Sequence, residues 1–279
     1  MPGATGRRVD GDADARWSYR GGVGSEVRVT WWGHSTIWLE DSGVRLVTDP
    51  VLRDRVAHLR RRRGPTPRLS GPPDAVLVSH LHADHLDLAT LRNIPLTATL
   101  VVPAGAGPFL RRRLGADTTR RTVELAPGES TRVGAVTVRA VPAVHDGGRG
   151  PWSRHRAVAV GYTMHGAANI WYPGDTGLFE GMSTLGPLDL ALVPVGGWGP
   201  TLGAGHLDPA QAAEAVRRSA PRHAVPVHFG TFWPAGLPLR RGMFHDPGAR
   251  FAARAAEVAP ATRVTELPPG GTLALDHVR

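Results

Sequence analysis

The segment Ser79-His80-Leu81-His82-Ala83-Asp84-His85 constrains this chain more than any other stretch, and it follows directly on the apolar run Ala75-Val76-Leu77-Val78. A short apolar run reads as a buried strand, so the polar cluster sits at a strand's end. Three imidazoles and one carboxylate fall within six residues there. His80 and His82 are two apart, and in extended backbone they project to the same side. Asp84 and His85 come at the following turn, where their side chains can diverge toward a second point. The bland alternative is a polar loop with chance histidines, but the pattern suits two adjacent cations better than one. Imidazole and carboxylate donors favour zinc, and manganese or iron would also accept them.

A pair of cations needs more ligands, and three further apolar runs each end in a candidate. Val136-Thr137-Val138-Arg139-Ala140 leads through Val141-Pro142-Ala143-Val144 to His145. Asn169-Ile170-Trp171-Tyr172-Pro173-Gly174 leads to Asp175, and Ala224-Val225-Pro226-Val227 leads to His228. Taken singly, His145 and His228 read more readily as capped or satisfied histidines than as ligands. Strand ends along one edge of a sheet are, however, where α/β proteins gather functional side chains.

The H-x-H-x-D-H pattern with distant His, Asp and His resembles the metallo-β-lactamase superfamily, over nearly the whole chain from Val27 to Leu275. A closer resemblance is to the branch containing N-acylphosphatidylethanolamine-hydrolysing phospholipase D and the ascorbate-6-phosphate lactonases. It is carried by Thr30-Trp31-Trp32-Gly33-His34-Ser35-Thr36, Thr48-Asp49-Pro50, Gly205-His206-Leu207-Asp208-Pro209 and His228-Phe229-Gly230-Thr231-Phe232. The resemblance implies one metal held by His80, His82 and His145. It implies a second held by Asp84, His85 and His228, with Asp175 bridging the two. A hydroxide between the metals would be the nucleophile, because bound cations lower the pKa of coordinated water. The fold it implies is α/β, a four-layer αββα sandwich with the metals at one edge between the sheets.

Three more residues enter as candidates. In the superfamily an aspartate at the position of Asp49 hydrogen-bonds a metal-bound histidine and fixes its orientation; an Asp-Pro turn is the plainer reading. His34, in the Gly-His-Ser-Thr turn, either faces the site or is a hydrogen-bonded turn histidine. His206 precedes Asp208, which reads as an N-cap, and Pro209, the first position of a helix rich in alanine. It therefore lies on a loop, where the resemblance gives it substrate orientation or proton donation to the leaving group.

Predicted strands at Val27–Trp32, Thr36–Glu40 and Val44–Thr48 make an opening meander. Strands at Ala75–Ser79 and Leu100–Pro103 alternate with helices near Leu86–Asn93 and Pro108–Leu114. Thr131–Val141, Ala157–Thr163 and Ala168–Tyr172 supply a second strand-rich half. Candidate ligands spread from His80 to His228, so no cut between them leaves an intact site, and residues 25–279 are expected to be one hydrolase domain. Residues 1–24 are Gly-, Arg- and Asp-rich and are expected to be a flexible extension without the apolar core of a signal peptide. No run approaches the roughly 20 apolar residues that cross a bilayer. A cytoplasmic enzyme is the simplest expectation, with peripheral membrane contact as a further one.

The chain of 279 residues has no cysteine, which excludes a thiolate nucleophile and a disulfide framework. All 33 basic residues are arginine, and the net charge is +9. The run Arg60–Arg63 falls in the long loop Val51–Pro73, where it would either contact an anionic substrate or surface or remain a solvated loop. Arg111–Arg113 reads as a solvated helix face. The basic balance raises nucleic acid as a partner, but no basic–aromatic alternation supports it. The expected substrate is a small molecule or lipid. Phosphodiester hydrolysis, of an N-acylphospholipid or similar amphiphile, leads. A sugar-phosphate lactonase and a non-catalytic metal-binding scaffold are the alternatives. Oligomeric state is not legible in the sequence.

Overall fold

Alternation along the first strands divides their side chains between two cores, and this builds the layers. The structure, a computed structural model, describes residues 26–150 and 152–275; the extension expected at 1–24 lies outside the described residues. Strands β1 (Val27–Trp31), β2 (Ile37–Asp41) and β3 (Val44–Thr48) form the expected antiparallel meander. Strands β4 (Arg55–Val56) and β5 (Leu59–Arg61) lie in the long loop after it. The sheet continues in parallel through β6 (Ala75–Leu77), β7 (Thr99–Pro103) and β8 (Thr122–Leu125). In β6 and the residue after it, Ala75 and Leu77 join the central core, whereas Val76 and Val78 pack outward under helices. That period of two is what a strand buried on both faces requires.

A second sheet repeats the plan. Strands β9 (Ser130–Val133), β10 (Val136–Pro142), β11 (Val160–His165) and β12 (Asn169–Tyr172) are antiparallel; β13 (Leu190–Pro194) and β14 (His223–Val227) then run parallel. After the short β15 (Phe232–Pro234), β16 (Arg263–Val264) closes the second sheet and β17 (Gly271–Leu275) the first, so each has seven strands. Val29, Trp31, Ile37 and Leu46 from one sheet meet Val138, Tyr162, Met164 and Leu190 from the other in the central core. The helices Leu88–Leu91 and Gly107–Leu114 cover the outer face of the first sheet, with Leu88, Phe109 and Leu110 buried. Pro209–Ser219 and Pro247–Val258 cover the second, burying Ala212, Ala215, Val216, Phe251 and Ala255. This is the expected αββα sandwich.

Local expectations shift in three places. The stretch Thr131–Val141 is a hairpin of β9 and β10, because Gly134 at φ 55° permits a tight turn. The helix expected near Leu86–Asn93 is only Leu88–Leu91, begun by Asp87, whose carboxylate accepts from the Thr90 amide. The loop at 51–73 is partly ordered as a ribbon, β5 pairing with both β4 and β15. Within the Arg60–Arg63 run, Arg61 turns inward and donates to the carbonyls of Trp32 and Val51. Its guanidinium lies 4.9 Å over the Phe232 ring, and burial lowers its pKa to about 10.

Candidate metal centre

The site grows out of strand ends. Asp49 follows β3, Ser79 and His80 follow β6 closely, His145 follows β10, Asp175 follows β12, and His228 follows β14. Parallel strands in each sheet deliver these side chains to one edge of the sandwich, where the chain must leave the sheet and side chains are free to converge. Three of the residues pay a backbone cost for it. His34, Asp49 and His228 have φ of 52°, 35° and 62°, a left-handed conformation that non-glycine residues adopt at a cost of about 1–3 kcal/mol each.

The side chains gather in adjoining groups, His80 with His82 and His145, and His34 with Asp84, His85 and His228. His80 Nε2 lies 2.9 Å from His82 Nδ1, which lies 3.2 Å from His145 Nε2. In the second group His228 Nε2 is 3.3 Å from His85 Nε2, and Asp84 Oδ2 is 3.7 Å from the same His85 atom. Asp175 packs against the second group, its Oδ2 3.2 Å from His85 Nε2 and its Oδ1 3.1 Å from His228 Nε2, and comes within ligand reach of His145 of the first. Asp175 also reaches His206 Nε2 at 3.3 Å, and His206, Asp175 and His145 form a third set within ligand reach of one another. His34 joins the second group, its Nε2 3.0 Å from Asp84 Oδ2.

The hydrogen bonds behind these atoms fix which nitrogens carry protons. A carbonyl oxygen can only accept, so the imidazole nitrogen facing it must donate. His145 Nδ1 donates to Gly205 O at 3.0 Å, His206 Nδ1 to Gly203 O at 3.1 Å, and His228 Nδ1 to Gly196 O at 2.8 Å. His85 Nδ1 donates to Asp49 Oδ2 at 2.7 Å. The Ser79 hydroxyl donates to Asp49 Oδ2, which leaves Ser79 Oγ to accept from His80 Nδ1 at 2.9 Å. In the neutral rings the Nε2 of each of these five histidines is then a lone pair, and those of His85 and His228 face each other at 3.3 Å. That repulsion is relieved by a cation between the rings, or by a proton on His85, which the neighbouring carboxylates favour. The array is the donor set of a metal centre with its supporting hydrogen bonds in place, and Asp175 Oδ1, buried without a hydrogen-bond partner, belongs to the same cavity of donors.

Burial and neighbouring charge shift these groups in opposite directions. Burial, reinforced by neighbouring imidazoles, holds His80 and His228 well below the ordinary histidine pKa, and burial lowers His82 and His145 as well. Burial opposes charge on His85 too, yet Asp175, Asp84 and Asp49 together raise it well above the ordinary value. Asp84 and Asp175 are buried, but His85 and His34 hold the first ionised, and His228 and His85 the second. His206 is raised, the bond to Asp175 outweighing its burial.

Sequence reading missed several supporting groups. Tyr172 donates to Asp49 Oδ2 at 2.6 Å, and the Ser79 amide donates to Oδ1 at 2.7 Å. Trp198 Nε1 donates to Asp84 Oδ2 at 2.8 Å. Tyr172 sits in an apolar strand and gives no local signal; Ser79 adjoins His80, and Trp198, in a Gly/Pro-rich loop, was legible as a pocket wall but not as a partner of Asp84. A cavity of about 540 Å³ opens beside the centre, between Ala57, His58 and Leu59 of the ribbon and Trp198, Pro200 and Leu202 of the opposite loop. His82, Asp84, Asp175 and His206 form its floor, so His206 faces both the donors and the cavity.

The beta-lactamase superfamily domain model matches residues 44–229, which hold every donor named above except His34. The chain belongs to the metallo-β-lactamase superfamily. It is 32% identical over 231 residues to N-acyl-phosphatidylethanolamine-hydrolyzing phospholipase D 1 of Caenorhabditis elegans, covering 75% of this chain. It is 30% identical over 258 residues to a metal-dependent hydrolase of Nitratidesulfovibrio vulgaris, covering 90% of this chain and 97% of that protein. The chain spans 64% of the length of the mycobacterial relatives it matches and 65% of the worm protein. In fold it resembles Igni18, a metallo hydrolase from Ignicoccus hospitalis, with a TM-score of 0.69 at 22% identity, over 90% of this chain and 99% of that one.

Proposed function

We propose that this chain is a metal-dependent hydrolase that cleaves a phosphodiester bearing an apolar substituent, with water activated at a centre of two divalent cations. The observation that carries the reading is the convergence of His80, His82 and His145, and of Asp84, His85 and His228, into two adjoining groups, with Asp175 within reach of both. His80, His82 and His145 would hold one cation, and Asp84, His85 and His228 the other, with Asp175 between them; zinc suits these donors best. Bound cations would supply an ionised water near neutral pH and stabilise negative charge growing on the attacked group.

The chain's own residues do the rest. Asp49, held by Ser79 and Tyr172, orients His85. His206, with Nδ1 tied to Gly203 and Nε2 at Asp175, holds a proton at the cavity floor and delivers it to the departing oxygen. Leu59, Trp198, Pro200 and Leu202 exclude water and accept an apolar group. The name of the worm relative supports a phosphodiester in an amphiphile. A sugar-phosphate lactonase would use the same centre, but apart from the centre's own donors only His58, Arg149 and Thr201 of the cavity lining carry polar side chains.

Purified protein, with and without chelator, should be assayed against bis-p-nitrophenyl phosphate and a panel of lactones. Chelator-sensitive release of nitrophenol is expected. Lactone hydrolysis alone would replace the phosphodiester reading, and no hydrolysis by metal-replete protein would favour a binding scaffold.

A further inference from the structure

The cavity wall carries one arginine, and the reading above gives it no task. Arg149 lies among the cavity-lining residues with Gly150, beside His82, Asp84 and Asp175. Its position is built. Nη1 donates to Leu86 O at 2.7 Å and Leu81 O at 2.9 Å, and its guanidinium lies 5.3 Å over the Phe109 ring. One edge of the group therefore grips the backbone on both sides of His82 and Asp84. Nε and Nη2 have no hydrogen-bond partner among the described residues, and no carboxylate there lies within ion-pair distance of Arg149.

Asp87 and Asp84 act on this half-buried guanidinium only from a distance, so its free edge keeps the capacity to bind an anion directly. Every other arginine held inward by carbonyls near the site differs on this point: Arg61 faces Asp54 at 3.8 Å and turns away from the cavity. Arg149 instead presents a planar, two-donor edge, the geometry that recognises phosphate or carboxylate oxygens.

We propose that Arg149 binds an anionic oxygen of the substrate and sets it in register with the metal centre, through a single rigid group that also holds the backbone of residues 81–86. The inference rests on the hydrolase reading for its substrate and extends it: the enzyme selects anionic substrates over neutral ones of the same shape. Arg149 touches substrate and fixes position; it moves no proton.

The test uses metal-loaded full-length protein. Arg149→Gln should raise KM for bis-p-nitrophenyl phosphate about 10–100-fold, the span of a lost charge-assisted contact, with kcat changed much less and metal content retained. Arg149→Lys, which keeps the charge, should recover part of that loss. Binding of dimethyl phosphate and of uncharged trimethyl phosphate, measured by calorimetry, reads the same contact without turnover. Weaker binding of the anion alone in Arg149→Gln supports the proposal, even if the wild type hydrolyses neither diester nor lactone and the hydrolase reading fails. Equal affinity of both variants and the wild type for dimethyl phosphate overturns it. So does a fall in kcat together with loss of metal, which would make Arg149 a brace for the 81–86 loop only.

Discussion

At the scale of single residues, the centre is a set of proton positions as much as a set of ligands. His82→Ala removes the atom that lies within 3.2 Å of both His80 and His145, and it should lower metal content and activity together; metal analysis on the purified variant checks it. His206→Ala should behave differently. It should keep most of the metal and lose about 10²–10⁴-fold in kcat, with a smaller loss for nitrophenolate leaving groups that need little protonation. Unchanged rates on every substrate would make His206 a loop residue. Asp49→Ala strips His85, Ser79 and Tyr172 of a common acceptor. The loss expected is about 10–100-fold in metal affinity, read by competition with a chromophoric chelator. Asp49 and His34 were legible as candidates from the turns they occupy. Tyr172 was not, because a tyrosine in an apolar strand announces burial and its hydroxyl partner is 123 residues away.

At the scale of elements, one loop does several jobs. Between β13 and the helix Pro209–Ser219, the carbonyls of Gly196, Gly203 and Gly205 take protons from His228, His206 and His145, while Trp198 reaches Asp84. The same loop forms one wall of the cavity. Metal at the centre should therefore order the loop: amide hydrogen exchange across residues 197–206 should slow on metal addition and quicken on chelation, whereas the core strand β13 should not change. Gly205 shows how tight the coupling is. It has φ of 75°, and a Cβ there would stand 3.0 Å from His145 Nδ1. Gly205→Ala should weaken metal retention without unfolding the chain; unaltered retention would show the loop to be slack. The helix after this loop was readable in advance, since Asp208, Pro209 and Gln211 form a capping box at its start. The ribbon at 51–61 was not, because its partner strand β15 follows some 170 residues later and only pairing makes either segment a strand.

For the whole molecule, the buried site makes stability depend on pH. In metal-free protein, burial keeps His80, His82, His145 and His228 neutral, while the unfolded chain protonates each near pH 6.5. Lowered folded pKa values mean that the unfolded state binds more protons, so stability should fall as pH drops through that range. His85 and His206, both raised, oppose the trend but are fewer. Urea melts of chelated protein between pH 8 and 5.5 should show a declining midpoint, and metal should hold the midpoint higher at the upper end. A midpoint that rises on acidification would contradict the neutral-histidine picture. By itself the sequence determined the strand-end motif and the succession of strands and helices, which are written in local spacing and apolar period; the superfamily and its layered fold were legible through the resemblance that this motif carries. Tertiary structure decided what those spacings cannot carry. It placed His206 and His145 around one carboxylate, tied three histidines to one loop, turned Arg61 inward and left Arg149 at the cavity. The physical reason is that these are contacts between strand ends and loops remote in the chain, fixed only when two sheets close on a shared core.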